Sequence, residues 1–129
     1  MGVDRDTFYD ERRIAIMPMG FCYPGTGKSG DLPPRPECAP RWHEPILAQL
    51  PRIELALLCG AYAHRRYLDR HRRPTLTGTV LAWREMPAPW LPLPHPSGRN
   101  NGWLARNPCF EAEMLPHLRE RVRALVTLT

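Results

Sequence analysis

The chain has 129 residues, of which 43% are hydrophobic and 24% charged, and its formal net charge is +5. This length and composition fit a single globular domain over residues 1–129, and they include no apolar run long enough to span a membrane. The charged N-terminus does not match a signal peptide, so we expect a cytoplasmic protein. Lys28 is the only lysine, and the arginine-rich remainder of the positive charge permits a nucleic-acid partner.

Short apolar runs alternate with helical patterns along the chain. Runs bounded by charges, glycine or proline predict buried strands at 12–21, 52–60 and 89–94. Apolar spacing predicts helices at 39–50, 61–69, 75–85 and 109–126. Strands that alternate with helices are typical of an α/β fold, so we expect three layers, α/β/α, around a short parallel sheet.

Residues 23–31, YPGTGKSGD, resemble a phosphate-binding loop at first sight. That loop requires a glycine five residues before its Gly-Lys-Ser, and this position is Cys22. A helix should also follow directly, but residues 31–40 contain four prolines. The sequence therefore indicates a flexible connection and disfavours a nucleotide hydrolase.

The loops that follow the predicted strands are the expected place for chemistry, because ligands of parallel sheets bind beyond the carboxyl ends of the strands. His95 comes directly after the third predicted strand and opens the segment HPSGRN. Its ring can donate a hydrogen bond to an oxygen that becomes negative in a transition state. Next come residues suited to a phosphate backbone, namely Ser97, Gly98, Arg99 and Asn100.

In this segment the sequence resembles the uracil-DNA glycosylase superfamily, most closely its iron-sulfur branch. LPLPHPSGRN is similar to the family's His-Pro-Ser motif, IELALLCGAYAHRRYL to the strand-turn-helix before it, and AIMPMGFCYPG to the strand that ends near the base pocket. The resemblance covers roughly residues 12–126. It implies that His95 contacts the departing uracil, that the loop from Ser97 to Asn100 binds DNA with help from Lys28, and that Pro18, Met19 and Gly20 line the base pocket.

The cysteines extend the resemblance to a cofactor. Cys22 and Cys38 are sixteen residues apart, which is the spacing of the last two cluster ligands in the iron-sulfur branch. The resemblance therefore implies a 4Fe–4S cluster in a full-length form, with these two thiols as part of an incomplete ligand set. Zinc bound by Cys22, Cys38 and His43 is an alternative. We expect Cys59 to be a core residue.

The resemblance also shows what the chain lacks. No Gly-Gln-x-Pro-Gly type loop is present, so the chain resembles a family member without its first strand and helix. Pro18 stands where many members carry an asparagine that reads the uracil edge. We therefore expect a DNA repair enzyme that removes uracil or another deaminated base flipped from DNA, with an inactive module that binds nucleic acid or a protein as the alternative.

Overall fold

The computed structural model describes residues 1–127, and this part of the chain divides into two compact units. One unit combines Met1–Ala15 with the chain from Glu54 onward, and the other is Ile16–Ile53. The α/β class with a small parallel sheet is confirmed. No helix in the described range is long and apolar enough to cross a membrane.

The first unit is built on a parallel pair of strands. Strand β3, Ala56–Cys59, pairs with β4, Trp90–Leu93, so that Ala56 lies opposite Trp90 and Cys59 opposite Leu93. Both were predicted from their apolar runs, although the ladder is shorter than those runs. Pro92 is buried within β4 and has no N–H to give to a further strand, which suits an edge position.

Five α-helices of the described residues belong to this unit, and all but the first contribute buried side chains. They are α1 (Arg5–Phe8), α3 (Ala61–Tyr67), α4 (Leu76–Leu81), α5 (Asn101–Arg106) and α6 (Leu115–Thr127). Short 3₁₀ turns follow α3 and α4 and precede α5, at Asp69–His71, Trp83–Glu85 and Gly98–Asn100. The predicted helices at 61–69, 75–85 and 109–126 are thus confirmed, with 3₁₀ turns at the ends of the first two.

The C-terminal helix shows most clearly why these residues pack as they do. Its buried side chains are spaced four apart, which places them in one stripe along the helix: Phe110, Met114, Leu118 and Val122. The stripe joins Val80, Leu91 and Trp103 in the main hydrophobic cluster. The segment before α6, Phe110–Met114, is π-helical, and Pro116, two residues after it, lacks the N–H that would bond the Ala112 carbonyl.

The second unit contains a hairpin and one helix. Strands β1 (Thr26–Gly27) and β2 (Gly30–Asp31) are antiparallel, and Lys28 and Ser29 form the turn between them. The Gly-Lys-Ser sequence is therefore a hairpin turn without a following helix, which agrees with the rejection of a phosphate-binding loop. Helix α2, Cys38–Ala48, confirms the helix predicted at 39–50.

Two expectations from the sequence are wrong. Residues 12–21 form turns and irregular backbone, and the Ile16 side chain is 63% exposed. A strand is stabilised by ladder hydrogen bonds, and no described strand pairs with this run. Cys59 is exposed and not a core residue, because it is the last residue of β3 and lies at the open carboxyl end of the ladder.

Candidate active site

The carboxyl ends of β3 and β4 bring two loops of the first unit together. Gly60 follows β3, and its N–H donates to the Leu93 carbonyl at the end of β4 at 3.0 Å. A Cβ added to Gly60 would lie 3.8 Å from both Cβ and Cδ2 of His95. The structure therefore places the predicted catalytic histidine directly beside the turn that links β3 to α3.

Backbone conformation explains why that turn contains glycine. Gly60 has φ 92° and ψ 171°, a region that is essentially restricted to glycine. The 3.8 Å distance from an added Cβ to His95 is ordinary van der Waals packing. Glycine is therefore required at position 60 by its backbone dihedral angles and not by steric crowding. The turn lets α3 begin at Ala61 without a side chain between the strand end and His95.

The backbone of the His95 loop is fixed by local hydrogen bonds, while the ring of His95 stays exposed. The His95 carbonyl accepts from the Ser97 N–H at 2.9 Å and from the Asn100 side-chain amide. The Asn100 N–H donates to the Ser97 carbonyl at 3.0 Å and closes the 3₁₀ turn that leads into α5. The imidazole is thus available to a ligand on a loop with a defined conformation.

The other predicted contact residues of this loop lie within the same turn. Ser97 and Asn100 are half-buried, whereas Gly98 and Arg99 are exposed. A Cβ added to Gly98 would meet no atom within 4 Å, so this part of the loop faces open space. Helix α5 anchors the loop from the other side, because the buried Trp103 donates its indole N–H to the Thr77 hydroxyl at 2.8 Å.

A second histidine, His64, contacts the ends of both strands. It was not among the site residues predicted from the sequence. His64 on α3 is 1% exposed, and its Nε2 lies 2.9 Å from the Leu58 carbonyl and 3.0 Å from the Leu93 carbonyl. Two carbonyl neighbours make Nε2 the protonated nitrogen, and the buried Nδ1 has no partner within the described residues. His64 therefore positions the strand ends that carry Gly60 and His95.

The environment of His64 favours its neutral form. Burial lowers the pKa of His64 from its ordinary value, the two carbonyl contacts act in the opposite direction, and the charge of Arg72 lowers it further. A proton on Nδ1 would leave a buried donor without an acceptor. The only signal for this role in the sequence is a histidine four residues after the glycine that follows β3.

The predicted base-pocket residues belong to the second unit. The buried His43 ring donates from Nε2 to the Pro18 carbonyl at 2.8 Å, and the Phe21 ring packs edge-on against it at 5.9 Å between centroids. Met19 and Gly20 are half-buried, and a Cβ on Gly20 would approach Pro34 to 3.1 Å. Gly20 thus permits a close approach between two loops of this unit.

The hairpin that contains Lys28 has its own hydrogen bonds. The Tyr23 hydroxyl contacts the Thr26 hydroxyl and donates to the Asp31 carboxylate at 3.1 Å. Lys28 is exposed in the two-residue turn between β1 and β2. This placement leaves its ammonium group accessible to solvent, as a contact with phosphate would need.

The predicted metal ligands do not form a complete site in the described part of the chain. Cys22 is exposed and Cys38 half-buried, and both are free thiols. Residues 1–127 contain no group of three or more His, Cys, Asp or Glu side chains that could hold a metal, and the zinc alternative with His43 stays a prediction. A 4Fe–4S cluster needs four thiolates, so two do not fit it, and a cluster in a longer form stays a prediction.

The fold and the site define a class: a small α/β protein with a polar histidine loop at the carboxyl ends of its parallel strands. Comparison with protein families identifies that class further, since residues 1–119 match the model of the uracil DNA glycosylase superfamily. The match covers most of the chain. This protein belongs to the uracil-DNA glycosylase superfamily.

Proposed function

We propose that this protein is a DNA glycosylase that removes uracil, or another deaminated base, after the nucleotide has been flipped out of the DNA. Family membership supports glycosylase-type chemistry. The observation that carries the proposal is His95, an exposed imidazole on a hydrogen-bonded loop at the strand ends. DNA that contains a deaminated base is the corresponding partner.

The reaction is a hydrolysis at the sugar carbon. Water adds to C1′, the C1′–N bond breaks, and its electron pair leaves with the base, while the proton of the water passes to solvent or to the released base. Negative charge develops on the oxygens of the base as the bond breaks. A ring N–H of His95 that donates to such an oxygen stabilises this charge, and one placed donor contributes about 10²- to 10³-fold in rate.

The loop after His95 has a separate role in this proposal. Ser97, Gly98, Arg99 and Asn100 contact the DNA backbone next to the flipped nucleotide, and Lys28 adds a further phosphate contact. Arginine and backbone amides are suited to phosphate oxygens, and the open space around Gly98 leaves room for a strand. The loop therefore holds the DNA while His95 acts on the base.

A base-release assay on uracil-containing single-stranded and duplex DNA tests the proposal. We expect release by the wild-type chain and a decrease of about 10²- to 10³-fold in kcat for His95→Ala. His117→Gln is the matched control, because this histidine packs against Trp83 at the amino ends of the strands, with ring centroids 4.6 Å apart. It should retain activity.

A second function, DNA binding without cleavage, is favoured by one observation. Pro18 has neither a polar side-chain group nor a backbone N–H, and its carbonyl already accepts from His43, so its side chain cannot read the edge of a base as an asparagine amide would. DNA binding without base release, unchanged in His95→Ala, would contradict the glycosylase proposal and support this second function. Equal release by wild type and His95→Ala would contradict the assignment of His95.

A further inference from the structure

Helix α3 presents an exposed face of aromatic and basic side chains that the proposed function has not used. Tyr62, Arg65 and Arg66 lie three to four residues apart on one side of the helix, and Arg70 lies in the 3₁₀ turn that follows the helix. All four are exposed, with Tyr62 at 45%, whereas Ala63, His64 and Leu68 are buried on the other side. We call these four residues the α3 basic face.

Two arginines of this face, Arg65 and Arg70, have no carboxylate partner in the described part of the chain. Residues 65–73 contain five arginines and one carboxylate, Asp69. Arg73 pairs with Glu85 at 2.9 Å, but among residues 1–127 no ion pair with a carboxylate involves Arg65 or Arg70. The Arg65 guanidinium lies 5.4 Å from the centre of the Tyr62 ring, which holds a cation and an aromatic surface side by side in solvent.

The position of α3 places this face next to the candidate active site. The helix begins directly after Gly60, where a Cβ would lie 3.8 Å from His95, so Tyr62 is two residues from that contact. With a rise of about 1.5 Å per residue, Tyr62 to Arg66 extends about 6 Å along the helix. Phosphates of one strand follow at about 3.4 Å along the duplex axis, so about two nucleotides fit this length.

We propose that the α3 basic face binds the DNA strand that flanks the flipped nucleotide, an inference that rests on the glycosylase function proposed above. Arg65 and Arg70 contact phosphate oxygens through their planar guanidinium groups. The Tyr62 ring stacks on a base or packs on a sugar next to the extruded position. The pairing of exposed aromatic rings with arginines favours a nucleic-acid strand over an acidic protein surface.

Salt dependence of binding to a fluorescent uracil-containing oligonucleotide tests this inference. On duplex DNA, the double variant Arg65→Gln with Arg70→Gln should reduce the magnitude of the negative slope of log affinity against log salt by nearly two, about 0.9 for each phosphate that an arginine no longer neutralises. Arg66 is left unchanged because its guanidinium lies 6.0 Å from the Tyr67 ring centre. Arg119→Gln with Arg123→Gln is the matched control, since it removes two exposed arginines from α6 and should leave the slope unchanged.

Two further variants keep the test decisive. Arg65→Lys with Arg70→Lys retains both charges and should keep the wild-type slope. This result would separate an effect of lost charge on binding from an effect of substitution on folding. Tyr62→Ala should weaken binding to single-stranded DNA by roughly tenfold or more, while Tyr62→Phe keeps the stacking surface and the affinity. Equal slopes for the α3 and α6 glutamine variants would overturn the inference. Base release by the wild type is measured in a separate assay. A failure of the glycosylase proposal can therefore be distinguished from a failure of the inference about DNA binding by α3.

Discussion

A single buried histidine shows how chemistry and stability are connected in this protein. His64 holds the ends of β3 and β4 through two carbonyl contacts, and in the proposed function His95 acts from the loop that continues β4. The first histidine is buried and the second is exposed. The two residues therefore have different roles: His64 positions the strand ends, and His95 is exposed where a substrate could contact it.

Stability should depend on pH through His64. Its pKa is lowered in the folded state, so above the ordinary value of about 6.5 both states are neutral and its contribution is fully present. As pH falls below 6.5, the unfolded chain binds the proton first, and the free energy of unfolding decreases until pH passes the folded pKa. Urea unfolding at several pH values measures this decrease.

The control for this prediction is His64→Gln, whose amide can donate to a carbonyl but does not titrate. The variant should be less stable than the wild type at neutral pH, and its free energy of unfolding should change less between neutral and mildly acidic pH. An identical pH dependence in both proteins would show that other groups cause it.

At the scale of elements, the turn from β3 to α3 depends on backbone conformation. Gly60→Ala should lower the free energy of unfolding by about 1 to 3 kcal/mol, because φ 92° with ψ 171° is strained for any residue with a Cβ. Gly98→Ala is the control in the neighbouring loop, where an added methyl group meets nothing within 4 Å and no unusual φ is required. It should be neutral or slightly stabilising. Urea unfolding that shows equal decreases for both variants would contradict this account.

Local patterns explain which elements were predictable. The stripe from Phe110 to Val122 repeats every four residues, so the last helix could be read from the sequence. The run WLPL is apolar on both faces and forms β4. The run at 12–21 is similarly apolar but forms no strand. A strand also requires a neighbouring strand whose backbone N–H and C=O groups are free to pair with it, and an apolar run does not show whether one exists.

At the scale of the whole molecule, burial is unevenly distributed between the two units. The main hydrophobic cluster lies in the first unit, from Val80 to Val122. Of residues 16–53, the buried ones are Ala39 and His43. Since opening costs little where few apolar side chains are buried, the second unit should open more readily than the parallel strands.

Amide hydrogen exchange measures this difference with two similar hydrogen bonds. The Leu32 N–H donates to the Gly25 carbonyl at 2.8 Å beside the hairpin, and the Gly60 N–H donates to Leu93 at 3.0 Å at the strand ends. After correction for intrinsic rates, we expect exchange at Gly60 to be slower by about tenfold or more. Equal protection at both amides would show that the two units open together.

Local features of the chain were enough to predict the α/β class, four of the helices, two strands and the histidine loop, because apolar periodicity and the segment HPSGRN can be read without any distant contact. Folding in three dimensions was needed to place Gly60 against His95, to join the strand ends through His64, and to expose Arg65 and Tyr62 beside them. These relations arise from the pairing of β3 with β4 across thirty-four residues of chain, from Ala56 to Trp90. Such a distant pairing depends on the energy of the whole fold, and no local pattern contains it.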